Sequence, residues 1–573
     1  MVENLTTRER VQKRLAALKN ERSSLMDHWR EIQQVLLPRA GRFFATEENK
    51  GERRNDILDD TATGALTILG AGMQYGQTSP SRPWVRIETA DPELMESAAV
   101  SLWCDQVTQL ILRVFAQSNT YRSLHSMYEE EGGFGVAASI VLPDYKSIIH
   151  HTTLTIGEYV LGTNDKNEVD TLGRELQMTV GQIIEAYVAK GRPRSDKSGS
   201  WDWSRVSTGV KNAWDRNDVD AWVRVQQLIE PRRHRDPSKL DKANMAWRNA
   251  IIEEGANQNT VLHEGGFKRF PVIAPRWSVT GNDVYGTTCP GMRALGGIKQ
   301  LQHQHMRKLQ GIDFMTNPPL LLPSSLKNKE ADFLPGGLTY YDPQGVAGAK
   351  VENAFNVNLN LQHLLGDIQD VRELINSAFY ADVFLMMDRM PGIQPRNDRE
   401  VQERHEEKLL MLGPVVERQQ NELLSPLIDI TYDALDEFGL LPPIPEELQD
   451  RPLEFRYTSV LAQAQRRAAM AGVDRLIGAT ASIAAAKQDP SVWDNIDTDK
   501  AIQKAGDYEG VDAEILRDKD AIQTIRDARN KAAQAAAEAA QAKETAETAK
   551  TLAQAPVTPD NALGQVVRGF ATQ

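Results

Sequence analysis

A glycine-rich run, Gly70-Ala71-Gly72-Met73-Gln74-Tyr75-Gly76, comes close to the fingerprint that cradles a dinucleotide pyrophosphate. That chemistry needs its glycines in a tight turn between a strand and a helix, where backbone N–H groups can reach phosphate. Here the run closes a helical pattern that begins near Asp59, so its glycines suit close helix packing followed by a helix stop. A second run, Gly291 to Lys299 (GMRALGGIK), is loosely like a phosphate loop but lacks the Gly-Lys-Ser/Thr that holds phosphate and magnesium. Its glycines suit close approach of helices in an assembly. With no Walker-type loop anywhere in the chain, the sequence argues against an ATP-driven motor.

Metal and acid–base chemistry find no better footing. His303 and His305 stand two apart in a helical stretch and point to different faces; His150-His151 sit in a strand-like stretch and also face opposite sides. No His-Glu-x-x-His pair exists, so the histidines read as solvated or interface residues. The two cysteines, Cys104 and Cys289, cannot make a zinc site alone. They read as free thiols in a reducing compartment, although a disulfide between them is compatible with the sequence. Glu129 to Glu131, Glu406-Glu407 and Glu446-Glu447 would do acid–base work only in a buried cleft; as charge runs on helix faces they read as solvated. No Ser-His-Asp set can be picked out. The sequence therefore nominates no catalytic residue, no metal ligand and no cofactor. One basic set remains, Arg389, Arg396, Asn397 and Arg399, around a loop broken by Pro391, Gly392 and Pro395. Two readings stay open for it: an ordinary solvent loop, or a flexible loop that touches a phosphate backbone loosely.

The bulk properties narrow the function classes further. With 573 residues the chain can bury several cores. Its 41% hydrophobic and 25% charged residues, with a mean hydropathy of −0.46, are ordinary for a soluble protein, and no apolar run reaches membrane-spanning length. The start, MVENLTTRERVQKRLAALKNERSSL, is a charged amphipathic helix rather than a signal peptide, which places synthesis and use in a cytoplasm. A formal charge of −13 argues against an open, tight DNA-binding face. It suits a wall past which DNA must slide.

The elements that would position these residues follow from periodicity. Residues 3–37 carry Leu15, Leu18, Leu25, Trp29, Ile32, Val35 and Leu36 at helical spacing and stop before Pro38. Asp59 to Gln74 predicts a second helix, Thr78 to Pro83 a loop, Trp84 to Ile87 a strand, and 93–130 helix again. Gly132 to Leu172 turns to strand-like pieces (ASIVLP, IIHHTTLT, EYVLGTN), with a turn signal at Asn164 to Asn167 after the last. Thr179 is the expected N-cap of a short helix to Ala189, 190–205 a surface loop, and strands return at Ala221–Ile229 and near Phe270–Trp277. The first 280 residues thus read as one α+β domain.

A helix, insert, helix unit follows. Gly291–Gly311 carries Met292, Leu295, Ile298, Leu301, Met306 and Leu309; Leu359–Phe379 carries a clear apolar stripe of Leu361, Leu364, Leu365, Ile368, Val371, Leu374, Ile375 and Phe379. Each helix would be about 30 Å long. The insert, Ile312 to Val357, is rich in Pro and Gly, with short strands expected at Leu320–Leu322 and Leu338–Tyr341. Two rods bracketing a tip suggest a mechanical part rather than a pocket. Beyond a broken stretch at 381–397, a long helix is expected from Asp398 to Phe438, kinked at Pro414 and Pro426, then a hinge at Leu441–Pro445. Short helices are expected over 457–512, and Ala513 to Ala555 is a helix whose apolar side is mostly alanine.

The order of these parts resembles the portal, or head-to-tail connector, family of short-tailed bacteriophages. The resemblance rests on Pro275-Arg276-Trp277 and Gly281-Asn282-Asp283-Val284-Tyr285-Gly286 leading into the helix at Gly291. It rests also on Ser79-Pro80-Ser81-Arg82-Pro83-Trp84, on Gly133-Phe134-Gly135-Val136-Ala137 and on Thr155-Ile156-Gly157-Glu158-Tyr159, and it covers residues 5 to 450.

The resemblance implies an α+β, mainly α protomer in parts. These are a wing (1–280 with the long kinked helix at 398–445), a first stem helix (281–311), a clip (312–357), a second stem helix (358–380), a channel or tunnel loop (381–397), a helical crown (446–512) and an Ala-rich helical barrel or tail (513–573). It implies a non-enzymatic ring of twelve copies at one capsid vertex of the virion, assembled in the host cytoplasm, through which double-stranded DNA enters and leaves without sequence-specific contact. The implied partners are further copies of the chain, the major capsid protein and scaffold, the terminase large subunit, and the tail adaptor and tail tube proteins, with no membrane. Arg389, Arg396, Asn397 and Arg399 would lie near DNA. Gln300, Gln304, Lys308, Gln362, Asp367 and Gln369, with Gln302, Gln310 and Asp370, would give the stem a polar channel face. Lys327, Lys329, Asp332, Tyr340 and Tyr341 would serve docking at the clip. The competing readings are a non-portal helical scaffold or adaptor of the virion, which the long helices and alanine-rich tail would suit, and a nucleotide-hydrolysing packaging enzyme, which the missing phosphate loop opposes.

Overall fold

The computed structural model describes residues 6–43, 57–91, 94–189, 201–239, 241–257, 260–316, 320–321, 352–353, 361–385, 412–449, 451–459, 476–483, 486, 496–497, 500 and 519–554. The chain divides into two compact units, Met1–Ala469 and Met470–Gln573.

Thr6 opens α1 (Thr7–Arg22) with a capping box, in which its hydroxyl accepts from Glu9 N–H and the Glu9 carboxylate accepts from Thr6 N–H. Val11, Leu15 and Leu18 follow at i, i+4 and i+7 and are buried with Val160, Leu228, Ala250 and Ile252 of the strands below. The helix expected over 3–37 tightens to a 3-10 turn at Ser23–Leu25, where two serines weaken the helix, and resumes as α2 (Met26–Leu36) with Trp29, Ile32 and Leu36 buried. Next come α3 (Thr61–Gln77), β1 (Val85–Thr89), α4 (Ala98–Gln117) and α5 (Thr120–Phe134). The helix expected over 93–130 is therefore two, parted at Ser118 and Asn119. The Asn119 side chain clasps the His151 backbone both ways, accepting from its N–H at 2.9 Å and donating to its carbonyl at 2.8 Å.

The strand-rich part is longer than its sequence suggests. It runs β2 (Ala138–Asp144), β3 (Ile148–Leu154), β4 (Tyr159–Thr163) and β5 (Val169–Thr179). The turn at Asn164–Asn167 does not close the strands; it joins β4 to β5, with the Asn164 side chain accepting from the N–H groups of Lys166 and Glu168. Thr179 caps α6 (Val180–Ile183) as expected, and the helix continues as a π-turn at Ile184–Val188. Then follow α7 (Thr208–Asp215), β6 (Trp222–Pro231), β7 (Trp247–Glu253), β8 (His263–Phe267) and β9 (Val272–Ile273). Of these, β7 and β8 carry no clear alternation, whereas α7 carries Val210, Ala213 and Trp214 at helical spacing behind a Ser207 cap. The pairing is antiparallel in both larger sheets, one of five strands in the order β4-β5-β6-β7-β8 and one of three in the order β3-β2-β9.

The helix pair is formed by α8 (Pro290–Thr316) and α9 (Leu361–Ala378). At 27 residues α8 outruns its expected end at Gly311 and reaches roughly 40 Å. In the insert, β10 (Leu320–Leu321) pairs with β11 (Glu352–Asn353); the strand expected at Leu338–Tyr341 lies outside the described residues. After α9 come α10 (Ala381–Phe384), α11 (Gly413–Gln419), a π-turn at Gln420–Leu424 and α12 (Ser425–Glu437). Pro414 stands in the first turn of α11, where its missing N–H is harmless; residues 398–411 of the long helix expected there lie outside the described residues. Pro426 does interrupt the ladder: it cannot donate to the carbonyl four residues back, and the turn ahead of it widens to a π-turn. Past the proline linker, β12 (Leu453–Tyr457) returns to pair with β1, from Val85↔Tyr457 to Thr89↔Leu453. The opening of the stretch expected as crown thus packs in the first unit.

One large core joins Trp29, Leu66, Trp84, Phe115, Phe134, Phe379 and Leu427. A smaller one lies between α6, α7 and the five-stranded sheet, around Ile183, Val210, Val225 and Leu262. In the second unit α13 (Lys519–Gln554) is a 36-residue helix with exposed sides, as its alanine-rich composition predicts.

Candidate functional site: the root of the helix pair

The short glycine and proline pieces that stand far apart in the sequence meet where α8 begins. Gly291 lies on the backbone of Gly133, and a Cβ there would sit 2.2 Å from the Gly133 carbonyl oxygen. Only glycine permits that approach. The Cys289 thiol donates to the same carbonyl at 3.3 Å. Trp277 N–H donates to the Gly135 carbonyl at 3.0 Å, and Ala137 N–H to the Pro275 carbonyl at 3.1 Å. Gly291 thus makes its close approach inside one chain, whereas Gly296 of the same run has nothing within 4 Å of its Cβ position. Gly72 of the other glycine run does a similar job: Phe384 of α10 packs where its Cβ would be.

Arg276 locks the junction. It is 2% exposed, and its guanidinium donates to the Glu422 carboxylate at 2.7 and 3.1 Å and to the Asn167 carbonyl at 2.8 Å. Arg418 reaches the same carboxylate at 2.9 Å. Glu422 lies in the π-turn ahead of Pro426, so that turn aims it at the root.

Along the pair, Ala294, Ile298 and Leu301 of α8 and Ile368, Val371 and Ile375 of α9 are buried. Asp59, ahead of α3, ties both helices down. Its carboxylate accepts from Arg372 of α9 at 2.6 and 3.0 Å, and its Oδ2 lies 2.9 Å from Nε2 of His305 on α8. Burial pushes the Asp59 carboxyl up, but hydrogen bonds from Thr61 and from Arg372 overcome that and hold it below the ordinary range. Gln302 completes the tie: its carbonyl accepts from Leu58 and Asp59 N–H, and its amide donates to the Asp59 carbonyl at 2.7 Å.

The expected polar face divides. Gln300, Gln362, Asp367 and Gln369 are exposed and Lys308 is half-buried. Gln304 is not on that face. It is buried between the helices and donates to the Asp367 carboxylate, because it stands three residues after Leu301 on the inward stripe. Apolar side chains share the outward surface: Met306, Leu309, Phe314 and Met315 of α8 and Leu365 and Leu374 of α9 are exposed, Leu374 to 62%. Arg389, Arg396, Asn397 and Arg399, and Lys327, Lys329, Asp332, Tyr340 and Tyr341, lie outside the described residues.

Two readings of titratable groups need correction, and a third holds. Glu130 and Glu131 are not solvated; α5 is buried along that turn, and burial pushes their carboxyls up to about 7 and about 8. Glu130 accepts from Thr155 and Ile156, Glu131 from Gln419. His151 is a core residue between Thr120 and Ser139, driven down to about 4 by burial, while His150 faces outward as the strand alternation requires. Both cysteines are free and buried, and burial raises their thiols to about 11 and about 12, which leaves neither a ready nucleophile. Among the described residues no three His, Cys, Asp or Glu converge on a metal position, and no helix is long and apolar enough to cross a membrane.

Comparison with known proteins supplies an independent line. The family model described as "Bacteriophage head to tail connecting protein" matches residues 8–516. The chain is similar to the "Probable portal protein" of Bordetella phage BPP-1, 46% identical over 568 residues and covering 99% of each chain. It is also similar to the "Portal protein" of Salmonella phage epsilon15, 39% identical over 530 residues and covering 92% of each chain.

Proposed function

The chain belongs to the bacteriophage head-to-tail connecting, or portal, protein family, and from that premise we propose that twelve copies form a ring at one capsid vertex, a conduit for double-stranded DNA on packaging and ejection. The terminase motor docks on the insert between the helices, and the tail adaptor replaces it. The protein contributes shape and symmetry and no catalysis of its own.

The observation that carries this reading is the pair of α8 and α9, pinned to the body at Asp59 and Arg276 yet carrying exposed Leu309, Phe314, Leu365 and Leu374. Apolar side chains so placed on a packed helix pair call for neighbours. Copies set side by side around an axis would cover them and leave Gln300, Gln362 and Gln369 for the channel. Residues 1–280 with 398–445 make the wing, and the pairing of β12 with β1 extends it to Tyr457, so that the crown begins beyond it. The channel loop, 381–397, would carry Arg389, Arg396 and Asn397, with Arg399 just past its end.

Class averages from electron microscopy test the ring directly. Radial particles with a central hole are expected. Compact solitary particles, or a stable monomer by light scattering at micromolar concentration, would overturn it.

A further inference from the structure

Between α1 and the face of the five-stranded sheet lies a cleft of about 710 Å³ with an unbalanced charge. Three glutamates line it, and each has its own cation: Glu175 with Lys19 at 2.5 Å, Glu158 with Arg42 at 3.6 Å and Glu254 with Arg224 at 3.5 Å. Two further guanidiniums on the same cleft, Arg22 and Arg174, have no carboxylate within 4.0 Å among the described residues. Arg22 is 6% exposed. Its Nη1 donates to the carbonyls of Gly157 and Tyr159 at 2.8 and 2.5 Å, but its buried Nε has no partner. Arg174 spends only its Nε, on the Gln227 side-chain carbonyl at 2.7 Å. Burial lowers both guanidiniums from their ordinary range, and the more distant attraction of Glu175 for Arg22 and of Glu158 for Arg174 does not offset it.

We infer that this cleft is a binding site for an acidic peptide segment of a partner protein, with a carboxylate taken by the Arg22 and Arg174 guanidiniums. A guanidinium fork matches a planar carboxylate in two-point geometry. The rest of the lining suits a polypeptide: Phe43, Met26 and Leu176 offer apolar contact, and Trp222 stands 58% exposed at the rim. Duplex DNA does not suit it. A cleft of this size has the scale of a small-ligand pocket, too narrow for a double helix, and the three glutamates oppose a dense run of phosphates.

Titration calorimetry on the full-length protein tests this with three probes: a short peptide of glutamates spaced by leucine, the same peptide with glutamine for glutamate, and inorganic phosphate. The glutamate peptide is expected to bind at one site per chain, at least about tenfold tighter than the glutamine peptide, and to weaken as salt is raised. Arg174→Gln should cost about tenfold in its affinity, while Arg269→Ala, on an exposed ion pair away from the cleft, should leave it unchanged. Equal binding of both peptides, phosphate binding as tight as the peptide, or no heat at all would each overturn the inference. The comparison of the two peptides on the unaltered chain decides the matter even if Arg174→Gln fails to fold. Ring images are a separate readout, so failure here leaves the portal ring standing.

Discussion

At the scale of the residue, four polar side chains lie inside the fold, two of them carboxyls and one an imidazole. Glu130, Glu131, His151 and Gln304 are polar in type and buried in fact, because their helix or strand position, not their chemistry, decides which way they face. The two glutamates give a pH signature. Their folded pKa values, about 7 and about 8, lie above the ordinary 4.5. Their contribution to stability is therefore complete below pH 4.5 and is lost as pH rises through 7 and 8. His151 acts in the opposite sense: its folded value of about 4 lies below 6.5, so its contribution is complete above pH 6.5 and lost as pH falls towards 4. Between pH 6.5 and 8 the glutamates alone set the slope of this trio. Glu131→Gln should flatten that limb, gaining on the order of 1–2 kcal/mol over the parent at the alkaline end, as thermal melts across that range would register. Gly291→Ala should lose about 2–3 kcal/mol in a denaturant titration, since its Cβ has no room beside the Gly133 carbonyl. Gly296→Ala is the matched control: nothing lies within 4 Å of its Cβ position, and alanine there should gain about 0.5–1 kcal/mol of helix stability.

At the scale of the element, the two long helices, the capped start at Thr179 and the strands β2, β3 and β4 were legible, because each carries its own period or cap. Strands β7 and β8 were not. His263-Glu264-Gly265-Gly266-Phe267 has no alternation and is a strand only because β7 lies beside it. The tie at Asp59 was equally hidden: a lone aspartate ahead of a helix says nothing of an arginine more than three hundred residues on. That tie makes a prediction for the helix pair. Asp59→Asn removes the charge paired with the Arg372 guanidinium, which is 38% exposed and can turn to water, and should destabilise the folded chain by about 1–2 kcal/mol. Hydrogen exchange should then rise first in α8 and α9 while the five-stranded sheet keeps its protection.

At the scale of the whole molecule, membership of the portal family was readable from short pieces in a fixed order, each weak alone. The structure gives those pieces a reason: Gly133–Ala137, Pro275–Trp277 and Gly291 are one junction seen three times along the chain. Assembly predictions belong here. Replacing Leu374 by Glu puts a charge on an exposed apolar face without touching the inner stripe, so the chain should still fold but remain monomeric by light scattering. Removing residues 513–573 should leave rings intact, because the helix pair lies in the other unit.

The way α8 is mounted has a mechanical corollary. Backbone sits directly on backbone at Gly291, the Gln302 amide ties the shaft to the backbone of Leu58 and Asp59 at mid-length, and the outer turns, from Met306 to Thr316, are largely uncovered by the same chain. A beam built in at one end and free at the other turns a few degrees of tilt at its footing into several ångströms of travel at its tip. Whatever grips the tip thus has leverage over the glycine footing, and can signal through it to the body with no hinge residue.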